Sequence, residues 1–275
     1  MAEYEFVGDR EAFVKGGSTW EAGRQHREII TKLLYRTAKS QNDSLCVFGA
    51  GPCNDIELEL LATAFSNVTL VDFNDEVLQQ GVENQVGKEH AAVNVLGGVD
   101  LFGASQRLEQ YRESNDESLI EQILTDIAEH QPKRLETYDC VASTCMLSQL
   151  LFEASEAIDK SHFRFVDVLI AIRLRHIEIM MAALKPGGHG LLITDIVSSE
   201  SLPDLLEEND LKAVLQHAIA NQNFLHGLNP QMIAKVFQHE SFAGQLTSVR
   251  VSEPWRWTLP SRTYACFAIE FVKSA

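Results

Sequence analysis

Two glycines and two aspartates stand at the ends of successive apolar runs in this sequence. Gly49 and Gly51 follow the run "LCVF", Asp72 follows "VTLV", and Asp100 comes shortly after "VNVL". Glycine lets a backbone approach a ligand closely, and a carboxylate roughly 20 residues beyond such a loop can accept hydrogen bonds from ribose hydroxyls. Each residue alone is an ordinary turn or cap former, but together they predict a site for a nucleoside-bearing ligand.

The residues after Gly51 differ from two common phosphate-binding loops. A dinucleotide-binding loop would have a third glycine where Asn54 stands, and no G-K-S/T sequence follows to make a P-loop. Acidic residues come next, at Asp55, Glu57 and Glu59. The loop therefore suits a zwitterionic or cationic group better than a pyrophosphate.

These residues need a scaffold that brings strand ends together, and the apolar patterning provides one. Strand patterns alternate with helical patterns, which predicts an α/β fold with a mostly parallel sheet between two helical layers. Ligands bind such a sheet beyond the carboxyl ends of its strands, and we expect the helix after the first strand to aim its N–H groups there. The predicted strands are residues 45–49, 67–73, 91–96, 138–143 and 190–196, and the predicted helices are 19–38, 54–65, 75–85 and 165–184, with one or two more in 104–130.

Local signals mark the ends of several elements. Ser18 and Glu21 have the spacing of a capping box at the first helix, and Pro52 with Asn54 provides start signals for the second. The tail from residue 245 to 271 holds strand signals with no room for a helix between them. This pattern predicts an antiparallel hairpin that completes the sheet.

Charge and hydropathy narrow the possible partners. The net charge is −16, from 39 acidic and 23 basic residues, and phosphate backbones require clustered positive charge. The longest apolar stretch is interrupted by Asp167, Arg173 and Arg175, which predicts a buried helix and not a membrane span. The amino terminus lacks the pattern of a signal peptide. We expect a cytoplasmic protein that binds neither nucleic acid nor a membrane.

The cysteines and the chain length indicate a reduced, single-domain protein. The five cysteines form no C-x-x-C pair, so we expect buried thiols and no metal site. The 275 residues lie near the upper limit for one hydrophobic core. No linker or repeat divides them. We predict one domain over residues 1–275, with a helical extension or lid at 1–40 and a helical insertion at 104–136.

Four segments together resemble the class I S-adenosylmethionine-dependent methyltransferases. "LCVFGAGPCNDIELELLA" and "VTLVDFN" resemble the first two motifs of that family, and "YDCVASTCMLSQL" resembles its fourth. "MAALKPGGHGLLITDI" resembles the late motif, in which a helix ends in L-K-P-G-G before the fifth strand. The resemblance covers roughly residues 40–275. It implies a Rossmann-like, seven-stranded sheet with an antiparallel C-terminal hairpin, and S-adenosylmethionine as cofactor.

The resemblance also assigns residues to parts of the cofactor. Two departures stand beside it: Cys53 replaces a third glycine, and the fourth strand lacks the N-P-P-Y/F signature of many amino-directed nucleic-acid methylases. The implied contacts are Gly49, Ala50 and Gly51 with the methionine part, Asp72 with the ribose, Val99, Asp100 and Leu101 around the adenine, and Ser143 and Thr144 near the transferred methyl group. Phe73 and Asn74, directly after Asp72, are predicted cofactor contacts too, and Phe73 or Val99 could flank a flat base.

No motif names a catalytic base, and the acceptor is predicted only to be a small molecule. His226, in a segment that could overhang the substrate, is the best histidine candidate. Trp255 and Trp257 could wall a substrate pocket or could simply pack along a strand. Trp20 or Arg24 could reach in from the N-terminal helix.

Two alternatives to a methyltransferase stay open. One is an NAD(P)-dependent oxidoreductase, which Asn54 and the terminal hairpin disfavour. The other is a non-catalytic protein of the same fold that binds cofactor or a protein partner.

Overall fold

Apolar runs of the sequence form the strands of one central sheet that is buried on both faces. In the first strand, Leu45 and Val47 face one helical layer, whereas Cys46 and Phe48 face the other. The alternation follows from the two-residue period of a strand, and parallel sheets are normally covered on both sides. The computed structural model describes residues 17–207, 210–225 and 227–275. Its strands are β1 (Ser44–Phe48), β2 (Asn67–Val71), β3 (Val93–Leu96), β4 (Tyr138–Thr144), β5 (Leu184–Ser198), β6 (Leu246–Val251), β7 (Trp255–Thr258) and β8 (Thr263–Lys273).

The strand order creates a crevice at the centre of the sheet. The order is β3-β2-β1-β4-β5-β8-β6, and β7 also pairs with β8. Strands β1 to β5 pair in parallel, and β8 is antiparallel to β5, β6 and β7. The direction of winding reverses between β1 and β4, which is where ligands bind open α/β sheets. The predicted α/β fold, mostly parallel with antiparallel C-terminal strands, is confirmed.

The C-terminal part of the chain adds one strand more to the sheet than predicted, because two short strands, β6 and β7, both pair with β8. Strand β6 pairs with β8 from Ile269 to Lys273, and β7 pairs with it from Thr263 to Cys266. Between them the chain bends at residues 252–254, where Pro254 has no N–H to donate. At the bend, the Ala268 N–H donates to the hydroxyl of Ser252 and not to a backbone carbonyl. The sheet therefore has eight strands and not seven.

Two helical layers cover the sheet. The α2–α4 layer packs on one face, and α5 to α11 pack on the other. A short 3₁₀ turn spans Pro203–Leu205. The helices are α1 (Ser18–Ala22), α2 (Arg24–Tyr35), α3 (Leu58–Ala64), α4 (Asp75–Val86), α5 (Ser105–Ser114), α6 (Ser118–Glu129), α7 (Met146–Ala157), α8 (Phe165–Ala182), α9 (Leu211–Ala220), α10 (Pro230–Val236) and α11 (Glu240–Ala243).

The N-terminal helix differs from its prediction in two ways. It breaks at Gly23 into α1 and α2, as the weak helix preference of glycine allows. The capping box is wrong, because α1 begins at Ser18 itself and Gly17 holds the cap position without a side-chain bond. The serine lies inside the first turn and not before it.

The helix after β1 begins later than predicted. It starts at Leu58, because Cys53 adopts a φ of +59°, a left-handed conformation that interrupts any right-handed helix. Pro52 and Asn54 therefore belong to a turn and do not start the helix.

The remaining predicted elements are confirmed with shifts of a few residues at their ends, except that β5 begins at Leu184 and includes the K-P-G-G segment expected to precede it. The polar stretch at 104–130 forms α5 and α6, which pack against α7 and α8. None of the described helices combines the length and the hydropathy that a bilayer crossing needs.

Candidate functional site

The glycine loop after β1 is tied to the end of β2. Gly49 and Gly51 have φ values of +67° and +47°, which glycine adopts at little cost. The Gly49 and Ala50 N–H groups donate to the Val71 carbonyl at 2.9 and 3.3 Å. The Gly51 N–H donates to Asp72 Oδ2 at 2.9 Å. All three loop amides are therefore engaged within the protein.

The same loop is closely packed between α7 on one side and α4 on the other. A Cβ on Gly49 would lie 2.8 Å from the Cβ of Met146, at the start of α7. A Cβ on Gly81, in α4, would lie 2.5 Å from the carbonyl carbon and oxygen of Pro52. The sequence analysis missed Gly81, although its signal is visible: it lies on the apolar stripe of α4, between Leu78 and Val82.

Asp72 is held in place and keeps acceptor capacity. Its Oδ2 accepts from Gly51, and its Oδ1 accepts from the Asn74 N–H at 2.9 Å. A carboxylate offers about four lone-pair sites, so each oxygen can accept one further hydrogen bond. The side chain is half-buried. Two fixed oxygens with free lone pairs suit a pair of neighbouring hydroxyls.

The residues that follow Asp72 divide between two roles. Asn74 caps α4, because its Oδ1 accepts from the Val77 N–H at 3.1 Å. This bond satisfies a backbone donor at the start of the helix, which is the usual role of an asparagine there. Phe73 is 70% exposed. A phenyl ring so exposed at the strand ends provides a flat apolar face on which a base could stack.

The loop after β3 is shaped by Asp100. Its Oδ1 accepts from the N–H groups of Phe102 and Gly103 at 2.7 and 2.8 Å. Val99 and Leu101 are buried, and the Val99 N–H donates to the Asp72 carbonyl at 3.1 Å. The third loop is thereby linked to the second, which brings the predicted ribose and adenine residues to one edge.

The two predicted residues at the end of β4 point into the protein. Ser143 is 0% exposed and its hydroxyl bonds to Nε2 of His176 at 2.8 Å. Thr144 donates to the Gly49 carbonyl at 3.1 Å. Ser143 is thus inaccessible to a ligand here, and Thr144 supports the glycine loop from below.

His176 is held neutral beneath this edge. Burial lowers the pKa of its imidazole to about 4. Its Nδ1 has no hydrogen-bond partner among the described residues. The ring therefore supports Ser143 without bringing a charge into the core.

A buried serine–aspartate pair extends the edge beyond β4. The Ser148 hydroxyl bonds both the Cys145 carbonyl, at 2.8 Å, and Oδ1 of Asp195. Burial raises the pKa of Asp195. One hydroxyl hydrogen serves one acceptor, so a protonated Asp195 can donate to Ser148 while Ser148 donates to Cys145. Asp195 lies in β5, near its carboxyl end, and Ser148 lies in the first turn of α7, directly after β4.

On the far side of the edge, α2 covers the tryptophans of β7. The Trp255 indole N–H donates to Nδ1 of His26 at 3.0 Å, and Trp257 stacks on the same imidazole with centroids 4.4 Å apart. Because Nδ1 accepts, the ring hydrogen lies on Nε2, which is 3.4 Å from Asp55. The packing interpretation of the tryptophans therefore describes the structure.

The predicted lid residues are engaged elsewhere. Trp20 is buried beneath the Arg27 guanidinium, 3.4 Å from its ring centroid. Arg24 is exposed and pairs with Glu21. His226, the best histidine candidate, lies outside the described residues.

Two backbone amides at the amino end of α3 are already paired within the protein. The Leu58 N–H donates to Oε1 of Gln85 at 2.9 Å, and the Glu57 N–H donates to the hydroxyl of Thr31 at 2.8 Å. Both are satisfied by side chains from other helices. A pyrophosphate would need such amides unpaired. Within the described residues, no three His, Cys, Asp or Glu side chains form a metal-binding group.

Comparisons with known proteins concern the fold. No protein-family model matches the sequence, and no curated protein is detectably related to it. The N-methyltransferase NodS from Bradyrhizobium japonicum is 13% identical with a TM-score of 0.47, over 91% of this chain and 98% of that chain. The magnesium protoporphyrin IX methyltransferase from Synechocystis, solved with S-adenosylhomocysteine, is 11% identical with a TM-score of 0.48, over 92% of this chain and 84% of that chain.

At these values the similarity carries no argument about activity or substrate. The strand order and the antiparallel C-terminal strands described above give the chain the Rossmann-like fold of class I methyltransferases.

Proposed function

We propose that this protein is an S-adenosylmethionine-dependent methyltransferase that acts on a small molecule. The observation that carries the proposal is the carboxylate of Asp72, fixed by Gly51 and Asn74 with one acceptor site free on each oxygen. A ribose presents two neighbouring hydroxyls to such a group. The exposed ring of Phe73 stands beside it for the base.

The electrostatics favour a sulfonium nucleoside over a dinucleotide. The three loop amides bind Val71 and Asp72, and the first amides of α3 bind Gln85 and Thr31. No unpaired N–H group of this set is left for a pyrophosphate. These contacts weigh against the oxidoreductase alternative.

The chain's own residues position the reaction and keep water out. When bound, S-adenosylmethionine would supply the methyl group, and the residues around it would align the acceptor with that group. The glycine loop, packed on Met146, fixes one side of the site. Rate enhancement then comes mainly from alignment of the acceptor.

Titration calorimetry with S-adenosylhomocysteine tests the proposal. Asp72→Asn removes acceptor charge and should weaken binding by roughly tenfold or more, because hydrogen bonds to a charged group are worth about 1.5–3 kcal/mol. Asp139→Asn is the matched control, since Asp139 also accepts a backbone N–H, from Ser44 at 2.9 Å, but at the opposite edge of the sheet.

Equal affinities for the two variants would show that Asp72 does not hold the ligand. Tighter binding of NADH than of S-adenosylhomocysteine would favour the oxidoreductase instead. Binding without turnover across a panel of small acceptors would favour a non-catalytic protein.

A further inference from the structure

A cavity of 230 Å³ lies beside α7, and we call it the α7 cavity. Its walls include one face of α7 and, after α9, residues 223–225 and 228. The Leu225 N–H donates to the Ile196 carbonyl at 2.7 Å, which anchors this segment to the end of β5. A larger cavity of 340 Å³ lies at the amino end of β4, away from the strand ends that bind ligands.

The α7 cavity is connected to the glycine loop through short polar links. Ser148 lines the cavity and bonds the Cys145 carbonyl at 2.8 Å. The residue before Cys145 is Thr144, which bonds the Gly49 carbonyl at 3.1 Å. Two hydrogen bonds, from Ser148 to Cys145 and from Thr144 to Gly49, therefore connect one wall of the cavity to the loop assigned to the methyl donor.

The lining and the volume indicate the kind of molecule that fits. The apolar side chains include two phenyl rings and three leucines, and a 150 Å³ apolar cavity is large enough for benzene. A cavity of 230 Å³ therefore has room for one or two fused rings. The apolar lining consists of Leu151, Phe152, Phe224, Leu225 and Leu228.

Ser148 differs from the other polar residues of this lining because a buried carboxyl group holds its hydroxyl. That group is Asp195, which is 5% exposed, so the direction of the hydroxyl is set before any ligand arrives. Ser155 and Asn223 bond backbone carbonyls instead, and Glu156 and Lys160 are exposed. The cavity thus has an ordered polar point at Ser148 and a solvated end at Glu156 and Lys160.

We propose that the α7 cavity holds the methyl acceptor, a one- or two-ring apolar molecule whose hydroxyl or amine lies at Ser148. The proposal rests on the proposed function for the identity of the reaction, but the cavity and its ligand class can be tested without it. Ser148 acts as a positioning residue and Asp195 holds it.

The test measures binding of 1-naphthol by fluorescence titration, with S-adenosylhomocysteine titrated separately into the same samples. Ser155→Trp fills the cavity from α7 and should weaken 1-naphthol binding roughly tenfold or more. Ser114→Trp is the matched control: Ser114 bonds the carbonyl four residues earlier, as Ser155 does, but lies on α5 away from the cavity. Circular dichroism checks that both variants fold.

A second variant tests the polar point and does not depend on the first. Ser148→Ala should weaken 1-naphthol by about fivefold, and leave 1-methoxynaphthalene, which has no hydroxyl hydrogen, unchanged. Equal loss for both compounds, or full 1-naphthol affinity in Ser155→Trp, overturns the proposal. Tighter binding of N-acetyltyrosinamide than of 1-naphthol also overturns it, since the occupant would then be a protein side chain.

The two proposals can fail separately. If 1-naphthol binds as described but S-adenosylhomocysteine does not bind, the cavity assignment stands and the methyltransferase proposal fails. The reverse result retains the cofactor and removes this acceptor site.

Discussion

The two sides of the ligand-binding edge use polar residues in opposite ways. At the ends of β1, β2 and β3, the acceptors are half-exposed and fixed by backbone N–H groups, as Asp72 is by Gly51. Beneath α2, the polar groups are buried and contact other side chains, as Nδ1 of His26 accepts from Trp255. Backbone donors orient a carboxylate while leaving lone pairs for a ligand, whereas side-chain pairing in the core uses that capacity. The first side therefore keeps the acceptor capacity that the proposed ligand would need, and the second contributes to stability.

The largest expected effect comes from a substitution that displaces the glycine loop, and it should lower both stability and binding. Gly81→Ala places a Cβ 2.5 Å from the Pro52 backbone, an overlap that no rotamer relieves. We expect a loss of about 3 kcal/mol in the free energy of unfolding and weaker S-adenosylhomocysteine binding. Gly244→Ala is the control, since a Cβ there meets no atom within 4 Å. Denaturant unfolding of both variants measures the difference, and equal midpoints would contradict this close packing.

The second effect concerns acid, and it tests a buried polar group in the other helical layer, His176 of α8. Burial lowers the pKa of His176 from its ordinary value of about 6.5 to about 4, so the unfolded chain binds the proton more readily. This contribution is present above pH 6.5 and is lost as pH falls, by roughly 3 kcal/mol at pH 4. His176→Gln keeps a nitrogen donor for Ser143 but does not titrate, so its unfolding free energy should fall less between pH 6.5 and 4. Parallel curves for the two proteins would refute this.

A smaller effect separates stability from binding at the tryptophans. Trp255→Phe removes the N–H that bonds His26 and leaves a buried acceptor unpaired, which costs about 1–2 kcal/mol. S-adenosylhomocysteine affinity should not change. Trp257→Phe keeps a ring against the imidazole and should cost less. A loss of affinity in Trp255→Phe would mean that the buried side also binds the ligand.

The smallest expected effect is on binding alone, whereas the tryptophan variants should change stability alone. Phe73→Ala removes a side chain that is 70% exposed, so the unfolding free energy should stay the same. Base stacking on an aromatic ring is worth about 1–3 kcal/mol, and we expect S-adenosylhomocysteine to bind about fivefold more weakly. Phe73→Tyr retains the ring and should bind as the unchanged protein does. Calorimetry with the three proteins distinguishes stacking from a ring without a role.

Periodic patterns predicted the sheet and most helices, because burial on both faces leaves continuous apolar runs in the sequence. The start of α3 could not be predicted in the same way. Its amides are satisfied by Gln85 and Thr31, which are distant in sequence and carry no local signal. Cys53 has a φ of +59°, and its carbonyl accepts from the same Gln85 side chain. This left-handed residue prevents the helix from starting at Pro52.

For the site, the sequence predicted the strand ends better than the direction of side chains. Asp72 lies at its predicted strand end and is bonded to the glycine loop. Ser143 lies at its predicted strand end too, yet faces His176 in a helical layer. Alternation along a strand assigns residues to two faces, but only the packed helices decide which face a terminal residue meets. The cofactor contacts therefore remain predictions.

The bend between β6 and β7 has a consequence for how copies of this molecule meet. A straight outer strand would present an unbroken ladder of donors and acceptors, which another chain can extend into an aggregate. Here the ladder stops at Pro254, and the Ala268 N–H is already taken by Ser252. An incoming strand would meet two short strands of 6 and 4 residues, separated by a break at Pro254, so this side of the sheet offers a second copy no long continuous ladder.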